Sequence, residues 1–140
     1  TIEMLVPDFG GDPQAIRRVL DAKPEVFSHN IETVERLHAA LRGRRFTYAQ
    51  TLGVLKTAAD YLGHRAIIKS ALMVGHGETP AEVKATFQDL LDHGCVTVSV
   101  GQYMRPTPKQ REVADYVHPD QFKAYEALAY EMGFQFAVAG

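Results

Sequence analysis

Residues Ala66–Glu82 read AIIKSALMVGHGETPAE. Two apolar runs, Ala66-Ile67-Ile68 and Ala71-Leu72-Met73-Val74, flank Lys69-Ser70, a pattern that predicts a strand buried on both faces. Gly75-His76-Gly77 then turn the chain. Thr79, Pro80 and Glu82 supply an N-cap, a first helical residue and the acid of a capping box, so a helix starts at once. A strand running through a glycine-rich turn into a capped helix is half of a βαβ unit. In parallel α/β folds the C-terminal ends of such strands face the ligand.

The same alternation extends in both directions. Ile2–Phe9 is an apolar strand, and Asp12-Pro13 open a helix with Ile16, Val19 and Leu20 on one face. A short strand, Glu25 to Ser28, leads into His29-Asn30-Ile31-Glu32, and residues 33–41 form the next helix. Thr47-Tyr48-Ala49-Gln50 reads as a second capping box, whose helix runs to Gly63. Downstream of the central stretch, a helix burying Val83, Phe87, Leu90 and Leu91 stops at Gly94. Cys95–Val100 alternates strictly, with Val96, Val98 and Val100 on one face and Thr97 and Ser99 on the other. Residues 104–117 hold Pro106 and Pro108 and read as an irregular surface excursion. His118-Pro119-Asp120 opens a last helix, and Gln135–Ala139 a final strand. The order β-α-β-α-α-β-α-β-loop-α-β means a parallel sheet with right-handed crossovers, in an open sheet or part of a barrel.

The chain has 140 residues, 46% hydrophobic and 23% charged, which fits one folded domain over residues 1–140. A net charge of −2 with interspersed signs gives no footprint for nucleic acid or anionic lipid. Arg42, Arg44 and Arg45 form the only basic knot, read as a solvated loop. No long apolar span or signal-peptide pattern occurs, so no membrane partner is expected. The single cysteine, Cys95, excludes an internal disulfide and any multi-cysteine metal site within these residues. The expected location is cytoplasmic, or a mitochondrial or plastid matrix in a eukaryote.

With parallel strands, four polar clusters converge on one rim: Pro7-Asp8, His29-Asn30-Glu32, Gly75-Gly77-Glu78 and Gln102-Tyr103. Carboxylates and amides of this kind hold hydroxyls and amino-acid groups through directed hydrogen bonds. Two readings stand for Asn30 and Glu32: contacts to a ligand, or caps for the helix that follows. Met73 reads more simply as core filler. Lys69, a cation in an apolar strand, must snorkel out or point into a polar lumen, and it shares parity with Ala71, Met73 and Gly75. His29 and His76 have no partner at i+3 or i+4 and are not read as metal ligands. There is no nucleophile–base–acid triad, P-loop or dinucleotide fingerprint.

VPDFGGD, VFSHNIETV, KSALMVGHGET, VSVGQYMRPT and EMGFQFAVAG, in that order, resemble the C-terminal half of the lipoyl synthase family of radical S-adenosylmethionine enzymes. The resemblance covers essentially the whole chain. It implies the last four strands of a partial parallel (β/α) barrel of the radical SAM type. It also implies sulfur insertion into a protein-bound octanoyl chain, with S-adenosyl-L-methionine and two 4Fe-4S clusters as cofactors. The partner would be an octanoylated lipoyl-carrier domain or protein.

Residue by residue, the resemblance implies cofactor contacts at Asn30 and Glu32 after one strand, and at Met73, Gly75 and Glu78 along the central stretch. Gln102 and Tyr103 would face the cleft and Asp8 the same rim; Lys69 is counted with them as a candidate cofactor-binding residue. The departures are equally specific. The family's CxxxCxxC motif and its second three-cysteine set are absent and would belong upstream of Thr1. Its C-terminal RSSY would begin beyond Gly140. Ala71 stands where a glycine is usual, His76 replaces an apolar residue, and Arg105 and Thr107 also differ from the commoner residues.

Clusters need thiolate ligands, so these residues alone are expected to be inactive. By proportion with an eight-unit barrel of about 250 residues, a six-unit barrel needs roughly 190, more than are present. A non-catalytic adenosyl-binding or interaction module derived from such a barrel is the competing expectation. A flavodoxin-like domain is a third, with strand order 2-1-3-4-5. The first strand would be an exposed edge, through which the chain could self-associate.

Overall fold

The computed structural model describes all residues from Thr1 to Gly140. Five strands, β1 (Glu3–Leu5), β2 (Val26–Ser28), β3 (Ile67–Val74), β4 (Thr97–Gln102) and β5 (Phe136–Ala139), form one sheet in the order β1-β2-β3-β4-β5. Every neighbouring pair is parallel. Five helices connect them: α1 (Pro13–Leu20), α2 (Glu35–Arg42), α3 (Tyr48–Leu62), α4 (Pro80–Asp92) and α5 (Pro119–Met132). Sequential order is the barrel pattern and rules out the flavodoxin-like alternative. The four main strands lie where the apolar runs place them, and Gln135–Ala139 supplies the fifth.

Repeated crossovers of one hand stack all helices on one face of the sheet. That face carries Phe27, Ile68, Leu72, Val74, Val98, Val100 and Ala137, all in the main core with Leu20, Leu55, Phe87 and Phe134 from the helices and their flanks. The opposite face has no helix over it. β3 is therefore not buried on both sides: Ile68, Ser70, Leu72 and Val74 are buried, whereas Ile67, Lys69, Ala71 and Met73 alternate with them and remain wholly or partly exposed. The apolar residues on the open face account for the error, since Ile67, Phe136 and Val138 look like core in the sequence yet are exposed. Lys69 lies on this face, where its Nζ bonds Glu3 of β1 at 2.8 Å.

Local signals settle the helix starts. Thr79 accepts from the Glu82 amide while the Glu82 carboxylate accepts from the Thr79 amide, the complete capping box expected for α4. At α3 only half of the second box forms. Thr47 accepts from the Gln50 amide, but the Gln50 side chain donates instead to Asp8 Oδ2 at 2.9 Å. Val34 is the N-cap of α2 and offers no side-chain bond, so neither Asn30 nor Glu32 caps it.

The two sheet edges differ. On β5, Tyr130 donates to the Ala137 carbonyl and the Ala139 amide donates to Glu126, so α5 occupies two of the groups that face away from β4. On β1, residues 2 and 6 bond β2, leaving the alternate residues Glu3 and Leu5 to turn their amides and carbonyls outward.

Candidate functional site

Parallel strands bring all their C-terminal ends to one rim, and the turns after β1 to β4 build it. Asp8 is buried there, accepting from the Gly10 amide at 3.2 Å and from Gln50. Both oxygens of Glu78 are taken by its own turn, from the Gly75 amide at 2.7 Å and the His76 amide at 2.9 Å. Gln102 braces residues 103–117: its amide donates to the carbonyls of Tyr103 and Asp115, and its oxygen accepts from the Val117 amide. Tyr103 donates to the Arg111 carbonyl and stacks on His76 with ring centroids 4.1 Å apart. The excursion expected between residues 104 and 117 is thus a compact loop clamped to the rim, joined further by Ala114 N–H to the Gly75 carbonyl.

Asn30 and Glu32 are different. Their side chains make no hydrogen bond within the chain, and both are half-buried. Glu32 is held by its backbone: its amide donates to the Ala71 carbonyl at 3.0 Å and its carbonyl accepts from the Met73 amide at 2.8 Å. The residue adopts φ +68° to do so, a conformation costing a non-glycine residue on the order of 1 kcal/mol or more. The carboxylate is thereby fixed at the mouth of the open sheet face. A cleft of about 560 Å³ lies there, lined by Asn30, Glu32, Ala71, Met73, Ser99, Gly101, Val138 and Gly140. A Cβ on Gly101 would meet only the Gly140 carbonyl, at 3.9 Å, so the strand leaves open space on this side. A second cleft of about 450 Å³ shares Glu32 and Met73 and continues over the rim to Arg42, His76, Tyr103 and Arg111. The largest cavity, about 680 Å³, lies at the N-terminal strand ends around Gly63–Ile68 and Gly94, away from this site.

Of the expected site residues, Asn30, Glu32 and Met73 line the open-face cleft with nothing else engaging the two polar side chains. Met73 is a cleft wall and not core filler. Tyr103 walls the rim cleft, while Asp8, Glu78 and Gln102 stand at the rim with their polar atoms already engaged. Gly75 does not offer a bare backbone to the cleft, since a Cβ there would meet Gln102 at 2.3 Å and the Asp115 carbonyl at 2.7 Å. Lys69 is held lower on the open face by Glu3. Sequence reading passed over Thr33, Arg42 and Arg111, which border the second cleft; the basic knot at Arg42 was the one available signal.

The electrostatics are those of a dry wall beside a wet mouth. Burial lowers the pKa of His29 and of His76, keeping both rings neutral. The Val6 carbonyl accepts from Nδ1 of His29 at 2.9 Å, which leaves Nε2 a bare acceptor with no partner. The Cys95 thiol is pushed up to about 12 by burial and sits at the start of the β4 segment, remote from the rim. One such thiol does not fit an iron–sulfur cluster, and no three His, Cys, Asp or Glu side chains converge as a metal-ligand set. Free amide and carboxylate groups over a glycine-lined gap do fit the polar half of a nucleoside or amino-acid ligand.

A parallel sheet of sequential strands with its open cleft at the C-terminal rim is the architecture of a barrel wall. The sequence model of the radical SAM superfamily matches residues 1–90, and the chain belongs to that superfamily. It is similar over its whole length to lipoyl synthases. It is 46% identical over 140 residues to the lipoyl synthase of Caldanaerobacter subterraneus subsp. tengcongensis, covering all of this chain and 49% of the relative. It is 44% identical to that of Mycolicibacterium gilvum and 42% identical to the mitochondrial lipoyl synthase of Sorghum bicolor, in each case over 99% of this chain, and over 43% and 36% of the relatives. The chain therefore spans about half or less of the length of these curated relatives. No helix is long and apolar enough to cross a membrane.

Proposed function

We propose that these residues form the C-terminal barrel wall of a lipoyl synthase, where they hold S-adenosyl-L-methionine during sulfur insertion into a protein-bound octanoyl chain. The supporting observation is the pair of uncommitted side chains, Asn30 and Glu32, fixed over the cleft beside Met73 in a chain similar throughout to lipoyl synthases. Glu32 is suited to accept from a ribose diol or an ammonium group, and Asn30 can both donate and accept. Met73 offers an apolar surface against a planar base. S-adenosyl-L-methionine would supply the hydrogen-abstracting chemistry there, once a one-electron donor held outside these residues cleaves it. The part played by this chain is to position that ligand and to exclude water from the half-buried mouth.

The 4Fe-4S clusters of such an enzyme need ligands other than these residues, because Cys95 is buried and alone. The partner in this reading is an octanoylated carrier domain, and the compartment is a bacterial cytoplasm or an organelle matrix. A non-catalytic adenosyl-binding module is the competing reading. The two are separated by exchange. Replacing the matching segment of the Caldanaerobacter relative with these residues should yield an enzyme that forms lipoyl groups on an octanoylated carrier. Glu32→Ala in the same hybrid should lower turnover at least tenfold. A hybrid that binds S-adenosyl-L-methionine and reconstitutes its clusters yet forms no product would support the binding-module reading instead.

A further inference from the structure

β2 and β3 keep regular register as far as Ser28 opposite Lys69, and the His29 amide carries the ladder onto the Lys69 carbonyl at 3.1 Å. Regular pairing would next give the Ile31 amide the Ala71 carbonyl, two residues further along each strand. The Glu32 amide takes that carbonyl instead, and Glu32 stands opposite Leu72. Four residues on one side, from Ser28 to Glu32, therefore span three on the other, from Lys69 to Leu72. One residue is inserted, a bulge of a kind uncommon between parallel strands. It takes the Ile31 amide out of the ladder at a fully buried residue. The partner that amide finds is Ser70, also fully buried, whose Oγ accepts at 3.0 Å. The Ile31 carbonyl accepts from the Thr33 amide at 2.9 Å, closing a γ-turn around Glu32 at its φ of +68°. A γ-turn of positive φ is strained and persists only where the surrounding bonds hold it.

We propose that Ser70 is a positioning residue for the adenosyl ligand, its hydroxyl pinning the bulge that presents Asn30 and Glu32 to the cleft. The inference rests on the ligand role proposed above for those two side chains. A buried amide has to be bonded. Without the hydroxyl, the Ile31 amide regains a partner by taking the Ala71 carbonyl from Glu32. That step restores regular register, opens the γ-turn and returns Glu32 to negative φ. It also carries the Glu32 carboxylate by one residue, roughly 3.3 Å, from its place beside Met73. Strain and register thus pull the same way, and the Ser70 hydroxyl is the one side-chain group bonded to the amide they act on. Arg42 reaches only the Asn30 carbonyl of this segment, at 3.4 Å. Ser70 itself never meets the cleft, since it alternates with Ile68, Leu72 and Val74 on the helix-covered face. A serine among those aliphatic side chains has the Ile31 amide as its one hydrogen-bond partner.

The test compares the chain with its Ser70→Ala, Ser70→Thr and Ser70→Val forms, the last two alike in shape and different in the hydroxyl. Cross-correlated NMR relaxation reads the sign of φ at Glu32, hydrogen exchange follows the Ile31 amide, and calorimetric titration measures affinity for S-adenosyl-L-methionine. With serine or threonine, φ at Glu32 should be positive and the Ile31 amide should exchange as slowly as that of His29. With alanine or valine, φ should turn negative and affinity should fall about tenfold relative to the threonine form. A positive φ at Glu32 in the alanine and valine forms, with only a lower melting temperature, makes Ser70 merely structural and overturns the proposal. Equal affinity of all four forms overturns it too. So does rapid exchange of the Ile31 amide in the unsubstituted chain, a measurement that needs no variant to fold. Absence of binding by every form, the unsubstituted chain included, counts against the proposed function, while the sign of φ still decides whether Ser70 is the pin.

Discussion

Glu78 and Gln102 stand where a ligand could be met, and both are spent on the protein. Both close around Gly75: Glu78 accepts from its amide, and its φ of +103° and missing Cβ let the Gln102 amide and the Asp115 carbonyl pack over the turn. Gly75→Ala should therefore cost roughly 2–3 kcal/mol, from the left-handed backbone and the displaced Gln102 together, read as a shift in the urea midpoint. An unchanged midpoint would mean that the loop over residues 103–117 is not clamped there. The position of Asn30, Glu32, Glu78 and Gln102 at strand ends was legible in the sequence, because alternation of strand and helix fixes it. Which of them would be free was not. Gln102 is claimed by Asp115 and Val117, and Asp8 by Gln50, pairings made across 13 to 42 residues of sequence that no local pattern encodes.

Among the elements, α4 follows its sequence signals most closely. Thr79, Pro80 and Glu82 act as the capping box demands, and Arg36 of α2 adds a bond to Glu82 at 2.5 Å. That arginine, with the Thr79 amide, holds the Glu82 carboxyl down to about 2. Thr79→Ala should lower stability by about 1 kcal/mol and speed hydrogen exchange at the Glu82 amide, with α1 and α3 unaffected. β3 was misread on one face because an apolar residue facing an open lumen and one facing a core look alike in sequence. α3 lost half of its box for a different reason: the Gln50 side chain reaches away to donate to the Asp8 carboxylate, a strong charged acceptor, so its oxygen does not turn back to accept from the Thr47 amide. Strand number, direction and order needed no more than the periodicities and right-handed crossovers.

For the whole molecule, three buried histidines set the response to acid. Burial lowers the pKa of His29, His38 and His76, so the unfolded chain binds more protons than the folded one below the ordinary histidine value of about 6.5. Their contribution is fully present above that pH and is lost as pH falls through it toward the lowered values. Denaturant midpoints should begin to decline as pH falls below about 6.5. Replacing His38, which stacks edge-on against Tyr48 and bonds nothing through either ring nitrogen, with Phe should shrink that decline. The unequal sheet edges have a consequence for where the sheet can be extended. Tyr130 and Glu126 engage the Ala137 carbonyl and the Ala139 amide on the outer side of β5, whereas Glu3 and Leu5 turn their amides and carbonyls outward from β1. A further parallel strand is therefore received most readily beside β1, which is where a barrel wall meets the strand that comes before it.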